Sequence, residues 1–192
     1  KEHLAAAQKE APKSPQVIEL AGDVAFAGAD FAGSEQAYQS LHELQPWNLV
    51  ARLGMARAQI SQSKLKDAFT NVDLVLKGAS KDPRANYLRA LAAYLSGDMA
   101  NVQTYSQRAL SAAPNYLPAM LLAGASSYAL KQYEEADNYL GQYIHEVPQN
   151  IQARKLLAAT ELALNRPGDA VKTMTPAVAQ AGEDVSVLAL IG

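Results

Sequence analysis

The sequence contains no cysteine, one tryptophan and three phenylalanines, and its formal net charge is −2. Without cysteine there are no disulfides, no thiolate metal sites and no cysteine nucleophile, and the compartment stays open. A net charge this small gives no global basic field to draw nucleic acid or an anionic membrane surface. No nucleic-acid-binding motif is present either. No apolar run approaches the roughly 18 to 20 residues a membrane-spanning helix requires, so membrane attachment would need an anchor outside this stretch. There is no Gly-rich phosphate loop, no G-x-S-x-G turn and no histidine spacing such as H-x-x-x-H or HExxH. His3, His42 and His145 lie far apart in sequence. The adjacent acids Glu134 and Glu135 open a helix, where free backbone N–H groups favour them without any catalytic role. The chain therefore reads as non-enzymatic, with no catalytic residue, metal site or cofactor.

Alanine and leucine are abundant; 49% of the 192 residues are hydrophobic and 19% charged. That balance favours helices, because Ala and Leu have high helix propensity. The dominant signal is a period of 34 residues. One register holds Ser34, Ala68, Val102, Ala136 and Ala170, and a second holds Gly22, Ala56, Ala90, Gly124 and Ala158. A third reads Phe31, Leu65, Met99, Tyr133 and Pro167, and a fourth Pro12, Pro46, Ser80, Pro114 and Pro148. Several columns agreeing at one spacing mark a repeat array rather than a globular bundle, which does not require equal spacing.

Each unit reads as two helices. The first helices are predicted near Val17–Gly28, Val50–Gln62, Arg84–Ser96, Pro118–Leu130 and Gln152–Leu164. The second helices are predicted near Phe31–Leu44, Leu65–Lys77, Met99–Ala112, Tyr133–Glu146 and Pro167–Gln180. Turn chemistry separates them: GAD at 28–30, SGD at 96–98 and NRPGD at 165–169. Small residues belong where helices cross closely. The Ser34 column is expected at the crossing within a unit, and the Gly22 column where a unit meets its successor. A helix pair cannot bury its apolar face alone, so the units are expected to stack as a solenoid.

These columns resemble tetratricopeptide (TPR) repeats, with the best match at Leu122-Ala123-Gly124, Ala136 and Pro148. Val102, Ser80 and Gly182 depart from the pattern without disturbing the register. The resemblance implies an all-α, right-handed TPR superhelical solenoid of antiparallel helix pairs. The expected organisation is 1–14 as the second helix of a preceding repeat, then repeats at 15–48, 49–82, 83–116, 117–150 and 151–184, with 185–192 opening a sixth. On this register the chain reads as part of a longer array. Phrases such as PQVIELAGDVAFAGADFAGSEQAYQ, LVARLGMARAQISQSKLKDA and LPAMLLAGASSYAL resemble the long TPR lipoproteins of the bacterial PEP-CTERM/exosortase exopolysaccharide system. That likeness implies a periplasmic or cell-envelope location.

The TPR resemblance implies partner binding along a concave face lined by first helices. One lining column reads Phe26, Ile60, Tyr94, Tyr128 and Leu162, and others supply Leu53, Tyr87, Leu91 and Leu121. Arg57, Arg84 and Lys155 fall among them, and the first helices of units two to five carry Arg52, Arg89 and Arg154 against one acid, Glu161. The inner side is expected to be the more basic and aromatic one. The expected groove residues are Arg57, Arg84, Tyr87, Leu91, Tyr94, Leu121, Tyr128 and Lys155. Two readings stand side by side. Tyr94 and Tyr128 either pack against neighbouring helices beneath a solvated arginine rim, or line a groove for an extended peptide with acidic residues, or for an anionic glycan. A carboxylate clamp is not expected, because Glu19, Asp23 and Gly54 occupy the matching positions. Trp47 is expected to anchor against the stack, Tyr133 and Tyr143 to lie in the core, and Tyr139 to be partly exposed.

Overall fold

The computed structural model describes residues 2–181; the start of the sixth unit expected at 185–192 lies outside the described residues. Among those described there are eleven helices and no strand. The chain divides into two compact units, Lys1–Ser96 and Gly97–Gly192.

The first unit holds α1 (Glu2–Glu10), α2 (Pro15–Ala27), α3 (Phe31–Leu44), α4 (Leu49–Ser61), α5 (Leu65–Gly78) and α6 (Pro83–Leu95). Successive helices pack on one another, and α4 also meets α2 and α6, as a stack of hairpins requires. Its core gathers Leu53, Ala56, Ile60, Ala68, Val72, Val75, Ala85, Leu88 and Ala92. The second unit holds α7 (Met99–Ala112), α8 (Leu117–Ala129), α9 (Tyr133–Glu146), α10 (Ile151–Ala163) and α11 (Pro167–Ala181). Here too successive helices pack, and α8 meets α10.

Two kinds of turn build the hairpins. After each first helix one residue takes a left-handed conformation: Ala29, Ser63, Gly97, Lys131 and Asn165, with φ of 58 to 80°. The N–H groups of Asp30, Lys64, Gln132 and Arg166 then donate back to the carbonyls of Ala25, Gln59, Ser127 and Glu161 at 2.8–2.9 Å. This is a Schellman closure, which satisfies carbonyls that the helix end leaves unpaired. After the second helices, Asn48, Asp82 and Asn150 cap the next first helix, each side chain accepting from backbone N–H groups at its start. At position 80, where proline is absent, the buried Asn86 side chain donates to the carbonyls of Ser80 and Asp82, both at 2.9 Å.

The small columns are buried, but one serves a different crossing from that expected. A Cβ on Gly22 would meet the Tyr38 ring at 2.6 Å, and one on Gly124 would meet Leu140 at 2.6 Å. Tyr38 and Leu140 belong to the second helix of the same hairpin, so these two glycines open the crossing within a repeat. The approach of successive repeats shows at Gly54, whose Cβ would lie 2.4 Å from Tyr38. Two further expectations are corrected. Trp47 is 78% exposed rather than packed into the stack, and Tyr133 is half-buried whereas Tyr143 is buried.

Candidate functional site

In the first unit the lining positions divide by burial. Leu53 and Ile60 sink into the core rather than lining a surface, while Tyr87 and Leu91 are half-buried and lean on that same core. Tyr94 stays 42% exposed, the most open aromatic among the expected groove residues. Arg84 is exposed and pairs with Asp82 in its own cap at 3.2 Å. In the second unit Leu121, Tyr128 and Lys155 are half-buried. The Tyr128 ring packs on Tyr133 with centroids 5.8 Å apart, so part of it is turned to its own repeat.

Most arginines point away from the lining, which corrects the expectation of a basic inner face. Arg89 donates to Asp73 of α5 at 2.9 Å and stacks over Phe69 at 4.2 Å. Arg52 reaches Asn71 of α5 at 3.4 Å, and Arg154 donates to the carbonyls of Pro148 and Thr173 at 2.7 and 2.8 Å. These guanidinium groups tie α4 and α6 to α5 and α10 to α11. What remains along the first helices is mainly apolar: Phe26, Tyr87, Leu91 and Tyr94 in the first unit, and Leu121, Tyr128 and Leu162 in the second.

Arg84 keeps to its own cap, and Arg57 stays on the lining. Its Nη2 donates to Asp23 Oδ1 at 2.7 Å, its guanidinium lies 4.1 Å from the centre of the Phe26 ring, and Phe26 rests on Phe31 at 5.2 Å. Tyr38, wedged between Gly22 and Gly54, donates its hydroxyl to the same Asp23 oxygen at 2.8 Å. Sequence reading placed Arg57 in the lining but missed Asp23 as its partner. The signal was available, because the two stand one period apart in the same column.

A second polar constellation recurs at the outer turns. Lys64 pairs with Glu35 at 2.8 Å, Gln132 with Gln103, and Arg166 with Asp137 at 2.8 Å, each at one register position. Where that turn residue is aspartate, as at Asp30 and Asp98, the side chain caps its own helix by accepting from Gly33 or Asn101. Burial pushes the Glu35 carboxyl up, but hydrogen bonds from Lys64, Gln59 and Gln62 outweigh it and hold the group below the usual range. Gln59 has two equivalents in the second unit, Ser127 and Glu161, and Glu161 is only 7% exposed. One of its oxygens accepts from Thr173 at 3.0 Å and the other has no hydrogen-bond partner. Burial raises its protonation range; the Thr173 bond opposes this, and Asp137 and Asp169 add to it. Among the described residues no group of three His, Cys, Asp or Glu residues is gathered as a metal site would need, and no helix is long and apolar enough to cross a membrane.

Comparison with known proteins agrees with this geometry. Residues 127–192 match the tetratricopeptide repeat sequence profile, and residues 61–143 match that of anaphase-promoting complex, cyclosome, subunit 3. No curated protein sequence matches the chain. Among solved structures it is similar to the Cut9 and Hcn1 hetero-tetramer of the anaphase-promoting complex (TM-score 0.87, 14% identity, 99% of this chain and 38% of that one). It is also similar to PilW, a type IV pilus biogenesis factor (TM-score 0.82, 14% identity, 98% and 88%). A third is YrrB, described as a TPR protein with an unusual peptide-binding site (TM-score 0.71, 14% identity, 96% and 95%). Over the described residues the chain has the fold of tetratricopeptide-repeat proteins, and residues 127–192 match that repeat by sequence as well.

Proposed function

We propose that this chain is a protein-interaction scaffold that holds an extended peptide or protein segment against its first helices. The observation that carries this reading is the partly exposed aromatic and apolar row left there once Arg52, Arg89 and Arg154 have turned to the second helices. Tyr94 is its most open member, with Tyr87 and Leu91 beside it in the first unit; in the second, Tyr128 stands in the column of Tyr94, and Leu121 and Lys155 in that of Tyr87. Tyrosine offers a flat apolar face with a polar tip, a combination enriched where proteins meet. Arg57 and Arg84 stand at the margin of the first unit's row, each already paired with an aspartate. An apolar or neutral segment therefore fits better than the acidic peptide or anionic glycan that unpaired guanidinium groups would favour. That YrrB, of similar fold, is described as having a peptide-binding site supports the same reading.

The test is selection of twelve-residue peptides from a random displayed library on the intact chain. Selected peptides are expected to lose affinity about tenfold or more on Tyr94→Ala and Tyr128→Ala chains of unchanged helicity. Equal binding to parent and variants would contradict the proposal.

A second reading concerns setting rather than mechanism. The phrases beginning PQVIELAGDVAFAG and LPAMLLAGASSYAL support a place among the TPR lipoproteins of a PEP-CTERM/exosortase exopolysaccharide system, at the bacterial cell envelope. There the scaffold would assemble export or sorting components. Genes for polysaccharide synthesis beside the coding sequence, and a lipid-attachment signal ahead of it, are expected; their absence would overturn this setting and leave the peptide reading intact.

A further inference from the structure

The pair of Asp23 and Arg57 stands apart from the other ion pairs of the chain. Both come from the lining column of the first helices, and their side chains are 51% and 38% exposed. A pair this open contributes little to stability, yet several side chains are committed to holding it still. The Tyr38 hydroxyl grips the carboxylate from the core side through Oδ1, and the Phe26 ring, backed by Phe31, fixes the guanidinium plane. Burial, and then the Asp23 hydrogen bond, push the Tyr38 ionisation well up, so it remains a donor at physiological pH. Asp23 Oδ1 thus carries both described bonds. Oδ2 has no partner among the described residues, nor does Arg57 Nη1, and the buried Nε is likewise unpartnered.

We propose that Asp23 and Arg57 form a carboxamide reader, taking the side chain of a glutamine or asparagine in an extended peptide. A fixed acceptor beside a fixed donor matches a primary amide, which presents an N–H and a C=O on one edge. A carboxylate would meet Asp23 and an ammonium would meet Arg57, each with like-charge repulsion. An aliphatic side chain would leave both groups unanswered, at the cost of their hydration. A single backbone peptide group is planar and trans, so its N–H and C=O point to opposite sides; the N–H and C=O of one extended residue share a side, but peptides of identical backbone all present that pair alike. The inference rests on the first-helix face being the peptide-binding one and names what that face selects in the first unit.

The experiment is a ¹H–¹⁵N NMR titration of the intact chain with three capped alanine- and serine-based peptides, identical but for a central Gln, Glu or Leu. The Gln peptide is expected to move the backbone signals of Asp23 and Arg57 and the Arg57 Nε–H in a saturable way. The Glu and Leu peptides are expected to bind about fivefold more weakly or less, as one or both hydrogen bonds are lost. Asp23→Asn keeps an acceptor for Tyr38 but can turn an N–H outward beside Arg57, so the order should invert in favour of the Glu peptide. Equal shifts from all three peptides, or an unchanged order in Asp23→Asn, would overturn the reader. Shifts at Tyr87, Leu91 and Tyr94 that leave Asp23 and Arg57 unmoved would overturn it while sparing the peptide-binding face. No movement on any first helix up to ~5 mM, the range of a weak single contact, would overturn both.

Discussion

Tyr38 is the largest residue of its column, which continues as Val72, Ser106, Leu140 and Met174, and both glycines it touches are the smallest members of theirs. Gly54 interrupts a column that otherwise reads Leu20, Leu88, Leu122 and Leu156. Large and small are exchanged together across one crossing, because an interior packed at crystal density has no room for both side chains. Gly54→Leu, which restores the column's usual residue, should therefore destabilise the chain by about 1–3 kcal/mol in urea unfolding. Adding Tyr38→Val should recover part of that loss, and purely additive penalties would show that the two sites are not coupled. That these positions must be small was legible from the spacing. Which neighbour they make room for was not, since a period fixes which residues are equivalent but not which way a side chain leans. Trp47 carries a related lesson. Its size suggested burial, yet its column continues as Lys81, Asn115 and Gln149, and those polar equivalents mark an exposed turn position.

At the scale of elements, each hairpin turns on one left-handed residue, and only Gly97 and Asn165 are of types that adopt this conformation readily. Lys131→Gly should stabilise the second unit by about 0.5–1 kcal/mol, the side-chain strain relieved outweighing the extra freedom of the unfolded chain. Gly97→Ala, with φ at +80°, should destabilise by about 1–2 kcal/mol. Thermal unfolding followed by circular dichroism checks both, and opposite signs would remove the turn geometry from the account. The α10–α11 hairpin should also respond to pH. Glu161 is raised in the folded chain by burial, and Asp137 of α9 and Asp169 of α11 add to it against Arg166 in the turn and the Thr173 hydroxyl. The folded state thus binds the proton more tightly than the unfolded one, so the stability linked to Glu161 is full below the ordinary glutamate range and lost as pH rises through the raised value. Hydrogen exchange in α10 and α11 should show this weakening with rising pH. Glu161→Gln, which copies Gln59 in the first unit, should flatten the Glu161-linked part of the response; a profile unchanged by that substitution would contradict the assignment.

At the scale of the molecule, the helix boundaries and core columns were legible because each packing role is written repeatedly in one register. A departure such as Val102 or Ser80 is then outvoted by its equivalents. The candidate face was less legible. Arg52, Arg57, Arg89 and Arg154 look alike in sequence, yet three of them reach to second helices or their flanking turns, and only Arg57 stays on the lining beside an aspartate one period away. A period averages over such differences, and binding depends on them. The most direct measurement of the central claim is NMR shift mapping of a library-selected peptide on the isotope-labelled chain. The expected result is movement concentrated on first-helix residues, Tyr87, Leu91 and Tyr94 in the first unit and Leu121 and Tyr128 in the second, with second-helix residues such as Leu74 and Gln142 still. Shifts concentrated on the second helices would contradict it.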